Sequence, residues 1–310
     1  MGRDGWQALR ILVAGASGFL GAGAVRALAA AGHVVVGLAR TPEKAELVRR
    51  AGGTPALGDI LSIPSLLEAA RGCEAIVHLA ASATSVSRDI GQSTAAKVRV
   101  DGAYHLVATA RKVGARRIVV GSGTWLYGDC KEAITEATPV KPTGNSMFNW
   151  QAERAALEAN KPGALEVVVL RPGMVYGDGG WFREMVEEVR AGTYRVPGDG
   201  ANHWSPLHID DCGEAFRVAL ERGRAGEVYL AADDEPLPLR AFVNLVAGAL
   251  GATAPAATTP QEAVRVHGEA TGRHLMANQR VSSARLRALG WAPAHTRADN
   301  ALGPLVAQMV

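Results

Sequence analysis

The sequence predicts an α/β fold in which a doubly wound parallel sheet is joined to a smaller C-terminal substrate domain. Two observations predict it. Short apolar runs of strand length alternate with amphipathic runs of helix length through roughly the first two thirds of the chain. The first apolar run, Arg10-Ile11-Leu12-Val13-Ala14, leads directly into Gly15, Gly18 and Gly21, and an Ala-rich amphipathic stretch follows to Ala31. In physical terms this is a buried strand, a tight turn and a helix N-terminus. Gly15 allows the turn, Gly18 lets backbone approach a pyrophosphate, and Gly21 lets the helix pack closely on the strand. The free N–H groups and positive dipole end of that helix suit the phosphate. A dinucleotide site is therefore expected here.

The second strand is His33-Val34-Val35-Val36-Gly37-Leu38, followed by Ala39, Arg40, Thr41 and Pro42. Thr41 suits a helix N-cap and Pro42 the first helical position. A site that prefers NAD places a carboxylate at the end of this strand, on the ribose 2′-hydroxyl. Arg40 stands there instead, and a guanidinium suits a 2′-phosphate, so NADP is the expected cofactor. After a short third strand, Asp59 in Gly58-Asp59-Ile60 reads either as an acceptor for the adenine amino group or as a turn aspartate. Ala75 to Ala81 is a fourth buried strand ending in small residues, with His78 a packed core histidine. A helix over about 94–113, the strand Arg117 to Gly121 and the loop Ser122 to Asp129 follow. A helix over about 147–160 and a sixth strand, Leu165 to Leu170, complete the pattern.

The chain has 310 residues, 48% of them hydrophobic and 20% charged, with net charge +3. That is ample for a sizeable core, and no basic run or basic–aromatic interleaving points to nucleic acid. No stretch reaches the roughly 18 apolar residues of a membrane span. Cys73, Cys130 and Cys212 are unclustered, so no metal is expected, and the thiols read as those of a reduced, cytoplasmic chain. The expected partner is a small molecule, with a homodimer allowed.

Five motifs in order give a resemblance. They are Gly15-Ala16-Ser17-Gly18-Phe19-Leu20-Gly21, His78-Leu79-Ala80-Ala81, Leu126-Tyr127-Gly128-Asp129, Arg171-Pro172-Gly173-Met174-Val175-Tyr176-Gly177 and His208-Ile209-Asp210-Asp211. On these the chain resembles an extended short-chain dehydrogenase/reductase of the nucleotide-sugar epimerase type. The resemblance implies a Rossmann domain over 1–172, rejoined at about 205–232, and a substrate domain from 173–204 and 233–310. It places the cofactor against Gly15, Ser17, Gly18, Phe19, Leu20 and Gly21 of the glycine turn. Arg40, Asp59 and Ile60, then Leu79, Ala80 and Ala81, and finally Gln151 and Pro172 would complete that site.

The family's catalytic positions are vacant. Four residues before Tyr127, where the family has Ser or Thr, stands Gly123; its Tyr-x-x-x-Lys falls on Met147 and Gln151, and its helical asparagine on Arg99. The only literal Tyr-x-x-x-Lys, Tyr127 to Lys131, follows a strand directly and contains Gly128, so it reads as a decoy. Without the couple, cofactor binding is expected to persist through Gln151. Ketone reduction, which needs a donor to the developing alkoxide, is favoured over alcohol oxidation, with which epimerisation begins. Ser122 and Thr124, flanking Gly123, are the candidate catalytic hydroxyls, with Arg99 a further candidate replacement. Ser82 and Ser85 are candidates for substrate contact. Trp125, Met147, Trp150, Trp181 and Trp204 are expected at the substrate mouth, favouring a flat aromatic or apolar substrate. This pattern resembles ketoreductases that tailor polycyclic polyketides. The expected function is an NADPH-dependent ketoreductase; an NADP(H) sensor with a dead site and a nucleotide-sugar epimerase or dehydratase are the alternatives.

Overall fold

The structure, a computed structural model, describes residues 8–80 and 96–309. Its strands are numbered β1 to β11 along the chain. Seven of them form one sheet: β1 (Arg10–Ala14), β2 (Val34–Ala39), β3 (Thr54–Leu57), β4 (Ala75–His78), β5 (Arg117–Gly121), β6 (Glu166–Pro172) and β10 (Val228–Ala231). The order across the sheet is β10-β6-β5-β4-β1-β2-β3, and every pairing is parallel. This is the doubly wound Rossmann arrangement. The near-continuous apolar runs explain it: Val167 to Leu170 and Ile118 to Val120 are almost wholly buried, as strands covered on both faces must be.

Helix α1 (Phe19–Ala30) and α7 (Ile209–Arg222) cover one face. They cross so closely that a Cβ on Gly213 would lie 2.4 Å from the Gly23 carbonyl oxygen. On the other face lie α3 (Ile63–Ala69), α4 (Gly102–Val113) and part of α5 (Ser146–Leu157). The helix expected over 94–113 is in two parts, a π-turn over Lys97–Asp101 and then α4, which Gly114 ends in the left-handed region at φ +75°. The sixth strand runs two residues beyond Leu170, through Arg171 and Pro172.

A second apolar core sits apart from the sheet. It is built from α6 (Gly180–Arg190), α8 (Leu239–Ala249) and α12 (Ala298–Gln308), around Tyr176, Phe182, Trp204 and Phe242. Two small ladders lie beside it: β7 (Met174–Tyr176) pairs with β9 (Pro206–His208), and β8 (His203–Trp204) with β11 (Leu237–Pro238). Strand order reverses between β1 and β4, where Ala14 stands opposite His78. The crevice beyond those two strand ends is where an open α/β sheet binds its ligand.

Candidate active site

The crevice is built for a dinucleotide. Gly15 follows β1 with φ +92°, and a Cβ there would come within 2.5 Å of the Leu79 backbone. The Gly18 N–H donates to the Gly15 carbonyl at 2.9 Å, and a Cβ on Gly21 would lie 1.9 Å from that same oxygen. Only glycine fits at Gly15 and Gly21. Gly18 is the N-cap of α1; it offers no side-chain cap, and no acidic residue occupies the first turn. The helix end is thus left open to an anion, which is the fit a pyrophosphate requires. Ser17 and Leu20 are half-buried there. Phe19 packs under the loop after β7, 2.9 Å from where a Cβ on Gly179 would stand.

Arg40 lies just past β2, exposed and with no ion-pair partner among the described residues. The Asp59 carboxylate accepts from the Leu61 N–H at 2.9 Å, and its own N–H donates to Ser65 Oγ at 3.0 Å. It therefore shapes the turn into α3, with its second carboxylate oxygen left over. Ile60 is buried against Gly102. Leu79 and Ala80 stand at the crevice wall, while Ala81, Ser82 and Ser85 lie outside the described residues. Pro172 is buried at the end of β6.

Met147 and Gln151 sit one turn apart on α5, both exposed. Gly123 has extended backbone, and a Cβ there would meet the Trp125 ring at 3.5 Å and the Pro172 oxygen at 3.8 Å, ordinary contacts. Nothing steric forces glycine at that position. The two flanking hydroxyls differ. Thr124 is 1% exposed, and its hydroxyl donates to Gln279 Oε1 at 3.1 Å. The Gln279 amide returns donors to the Thr124 carbonyl at 2.9 Å and the Gly128 carbonyl at 3.1 Å. The Thr124 hydroxyl is thus committed to holding its own loop. Ser122 Oγ is buried with no hydrogen-bond partner among the described residues.

Tyr127 and Lys131 do not form a couple. Tyr127 is fully buried, its phenol accepting from Arg171 Nη1 at 2.7 Å, whereas Lys131 is exposed. Burial pushes the phenol pKa up, and the neighbouring guanidinium only partly offsets this. Arg99 donates to Asn149 Oδ1 at 2.6 Å, which ties the π-turn to α5, and burial lowers its guanidinium pKa. The Arg99 carbonyl accepts from His78 Nε2 at 3.3 Å, so the buried His78 Nδ1 carries no proton, and it has no partner among the described residues. Burial pushes His78 down to about 4.

The tryptophans do not converge, which corrects the expectation of a four-tryptophan mouth. Trp204 is 3% exposed and packs edge-on against Trp181 in the second core, with its indole N–H on the Leu275 carbonyl. The Trp181 N–H is likewise spent on the Val175 carbonyl at 2.7 Å. Trp150 lies against the guanidinium groups of Arg171 and Arg154. Trp125 alone of the four lines a cleft of about 490 Å³, together with Ser146, Asp129, Lys141, Arg273 and His274. His274 belongs to α10 (Glu269–Leu275) and stacks on Trp125, with ring centroids 4.0 Å apart and planes at 19°.

One group of side chains has the spacing of a metal site: His208, Asp211 and His295, with donor atoms within 4.8 Å of one another. The Asp211 carboxylate and one nitrogen of each imidazole are already paired. Asp211 accepts from the Ala294 and His295 N–H groups and from His295 Nδ1, and His208 Nδ1 accepts from the Asp210 N–H. The two imidazoles stack at 3.7 Å, so their in-plane lone pairs do not converge on one point. The cluster clamps residues 294–295 onto α7.

Fold and crevice together define a dinucleotide-binding protein of the doubly wound class. The chain belongs to the NAD dependent epimerase/dehydratase family, whose model matches residues 11–232. It is 31% identical over 288 residues to the 4-hydroxy-2-methyl-3-oxo-4-farnesyl-3,4-dihydroquinoline-1-oxide ketoreductase of Stigmatella aurantiaca, covering 90% of this chain and 85% of that one. It is 33% identical over 311 residues to a 3-diazoavenalumate denitrifying reductase of a Streptomyces species, covering 95% and 99%. A human epimerase family protein solved with NADPH superposes with a TM-score of 0.81 at 23% identity, over 97% of this chain and 100% of that one. The first two relatives are named as a ketoreductase and a reductase, the human structure shares the fold, and a nicotinamide dinucleotide is the cofactor class of the family. Among the described residues no helix is long and apolar enough to cross a membrane.

Proposed function

We propose that this chain is an NADPH-dependent reductase acting on the carbonyl of a flat, aromatic or apolar ketone, without a Tyr/Lys acid–base pair. The observation that carries the reading is the pairing of an intact cofactor cradle with an apolar Met147 and an uncharged Gln151 on the facing helix. The bound cofactor supplies the hydride. Gly15 and Gly18 seat its pyrophosphate, Arg40 meets the 2′-phosphate, and the Gln151 amide reaches the ribose hydroxyls. Ser122, whose hydroxyl has no protein partner, donates to the oxygen on which negative charge develops; ordered water or a hydroxyl of the substrate supplies the proton. Trp125 gives the ketone a flat wall. The activities named for the Stigmatella and Streptomyces relatives, a ketoreductase and a reductase, support this class of reaction.

The test is to mix the protein with NADPH and a panel of aromatic polycyclic ketones and to follow the reduced nicotinamide absorbance. Turnover that falls with Ser122→Ala supports the reading. Tight NADPH binding without turnover of any ketone, coupled to altered affinity for a macromolecular partner, would establish a sensor instead.

A further inference from the structure

His274 is an unusual residue to find in the wall of the cleft. It stacks on Trp125, yet neither of its ring nitrogens has a hydrogen-bond partner among the described residues, and Nε2 is buried. Stacking does not require those nitrogens, since a phenylalanine ring would provide the same face. Leaving a buried polar atom unpaired is costly, and such atoms in a folded protein call for an explanation. The stack also begins beside the position where the family carries its Ser or Thr: Trp125 Cδ1 lies 3.5 Å from where a side chain at Gly123 would start. Thr271 and Met276, on either side of His274 in sequence, line the same cleft.

We propose that His274 is a specificity-determining residue, hydrogen-bonding a second oxygen function on an aromatic ketone that enters alongside the Trp125–His274 stack. The inference rests on the ketone-reductase reading for the identity of the ligand, but binding alone tests it. Burial pushes the imidazole down to about 4, so the ring is neutral in ordinary conditions. A neutral imidazole donates at one nitrogen and accepts at the other, and so suits a phenol or a quinone-type carbonyl. Two of the three charged groups lining the cleft act elsewhere, leaving Lys141: Asp129 accepts from the Asn278 N–H at 2.7 Å, and Arg273 pairs with Glu269 at 2.5 Å. A pocket built to hydrogen-bond a ring oxygen discriminates against the analogue that lacks it.

The experiment compares 2-acetylnaphthalene with its isomers carrying one hydroxyl on the distal ring. Affinity for the NADPH-loaded protein is read from quenching of tryptophan fluorescence, excited away from the nicotinamide band. At least one hydroxy isomer should bind about tenfold more tightly than the parent, the size of one good net hydrogen bond. The preference should fall to about twofold or less in His274→Phe, which keeps a ring on Trp125, and equally in His274→Leu, should the first variant fold poorly. A preference that survives both substitutions overturns the proposal, as does a wild-type protein indifferent to the hydroxyl. Isomers that bind selectively through His274 yet are never reduced would remove the reductase reading and leave the recognition role standing.

Discussion

Arg171 holds Glu153 by two parallel hydrogen bonds, Nε to Oε1 at 2.9 Å and Nη2 to Oε2 at 2.5 Å, with both side chains buried. The pair joins the end of β6 to the inner face of α5 and leaves Nη1 for the Tyr127 phenol. Tyr127, which the chain spacing offers as a catalytic acid, is therefore the third member of a buried structural group.

Tyr127→Phe separates the two roles. It should lower folding stability by roughly 1.5–3 kcal/mol, the worth of a hydrogen bond to a charged group, and leave most turnover intact. Denaturant unfolding and steady-state rates on the same preparation check this. A hundredfold drop in kcat, within the range of lost general acid catalysis, would restore Tyr127 as a catalyst.

Arg40 should choose the cofactor. Arg40→Ala is expected to weaken NADPH by roughly 1.5–3 kcal/mol through loss of its contact to the 2′-phosphate, with NADH barely affected. Calorimetric titration of both cofactors measures it, and equal losses for the two would end the assignment.

Gly18→Val should abolish cofactor binding without unfolding the chain. A Cβ there already comes within 3.2 Å of the Gly15 carbonyl, and branching would fill the approach to the phosphate. By contrast, Met147→Tyr with Gln151→Lys should not raise the reduction rate much, because the proposed reaction takes its donor from Ser122 and its proton from water or substrate rather than from a Tyr/Lys couple. A rate gain of ten-thousandfold, the upper end of what general acid–base catalysis contributes (about 10⁴), would show that the site had merely lost its couple.

Two buried groups set opposite pH limits. Burial, with Asp211 close by, pushes the Asp233 carboxyl up to about 8. Between roughly pH 4 and pH 8 the folded state keeps a proton the unfolded chain has released, so this contribution to stability falls as pH rises through that window. Asp233→Asn should therefore be close to neutral at the acid end and stabilising by on the order of 2 kcal/mol near pH 8. His78 works the other way. Its folded pKa is lowered, so its contribution is complete above the unfolded value and is lost as pH falls, by up to about 3 kcal/mol between roughly pH 6.5 and pH 4. Denaturant midpoints across that range for wild type, Asp233→Asn and His78→Gln test both signs.

The sheet and the cofactor cradle were legible because their signals are local. The glycine spacing, the apolar runs and Thr41 before Pro42 each act within a few residues, and the Thr41 hydroxyl does accept from the Lys44 N–H at 3.3 Å. The placing of Met147 and Gln151 one turn apart on a single helix was legible for the same reason, since a helical register fixes it. Trp181 and Trp204 were misplaced because chain topology brings their segments near the mouth while apolar burial turns the rings inward. His274 and Gln279 carried no signal at all. Each matters only through a residue about 150 positions earlier, and no periodicity encodes such a contact.

The distance in sequence between Gln279 and the loop it holds also governs the order of assembly. The sheet from β1 to β6 closes through separations no longer than that from Ile11 to Ala75, but Thr124 and Gly128 are fastened from 155 and 151 residues away. Contacts of such separation form late, after the chain between them has condensed. The cleft wall is thus a product of the last docking step, and a nascent chain whose sheet is complete has the cradle before it has the cleft. In refolding, the fluorescence change assigned to Trp125 should lag the recovery of far-ultraviolet dichroism, and Gln279→Ala should lengthen that lag while leaving the earlier phase unchanged.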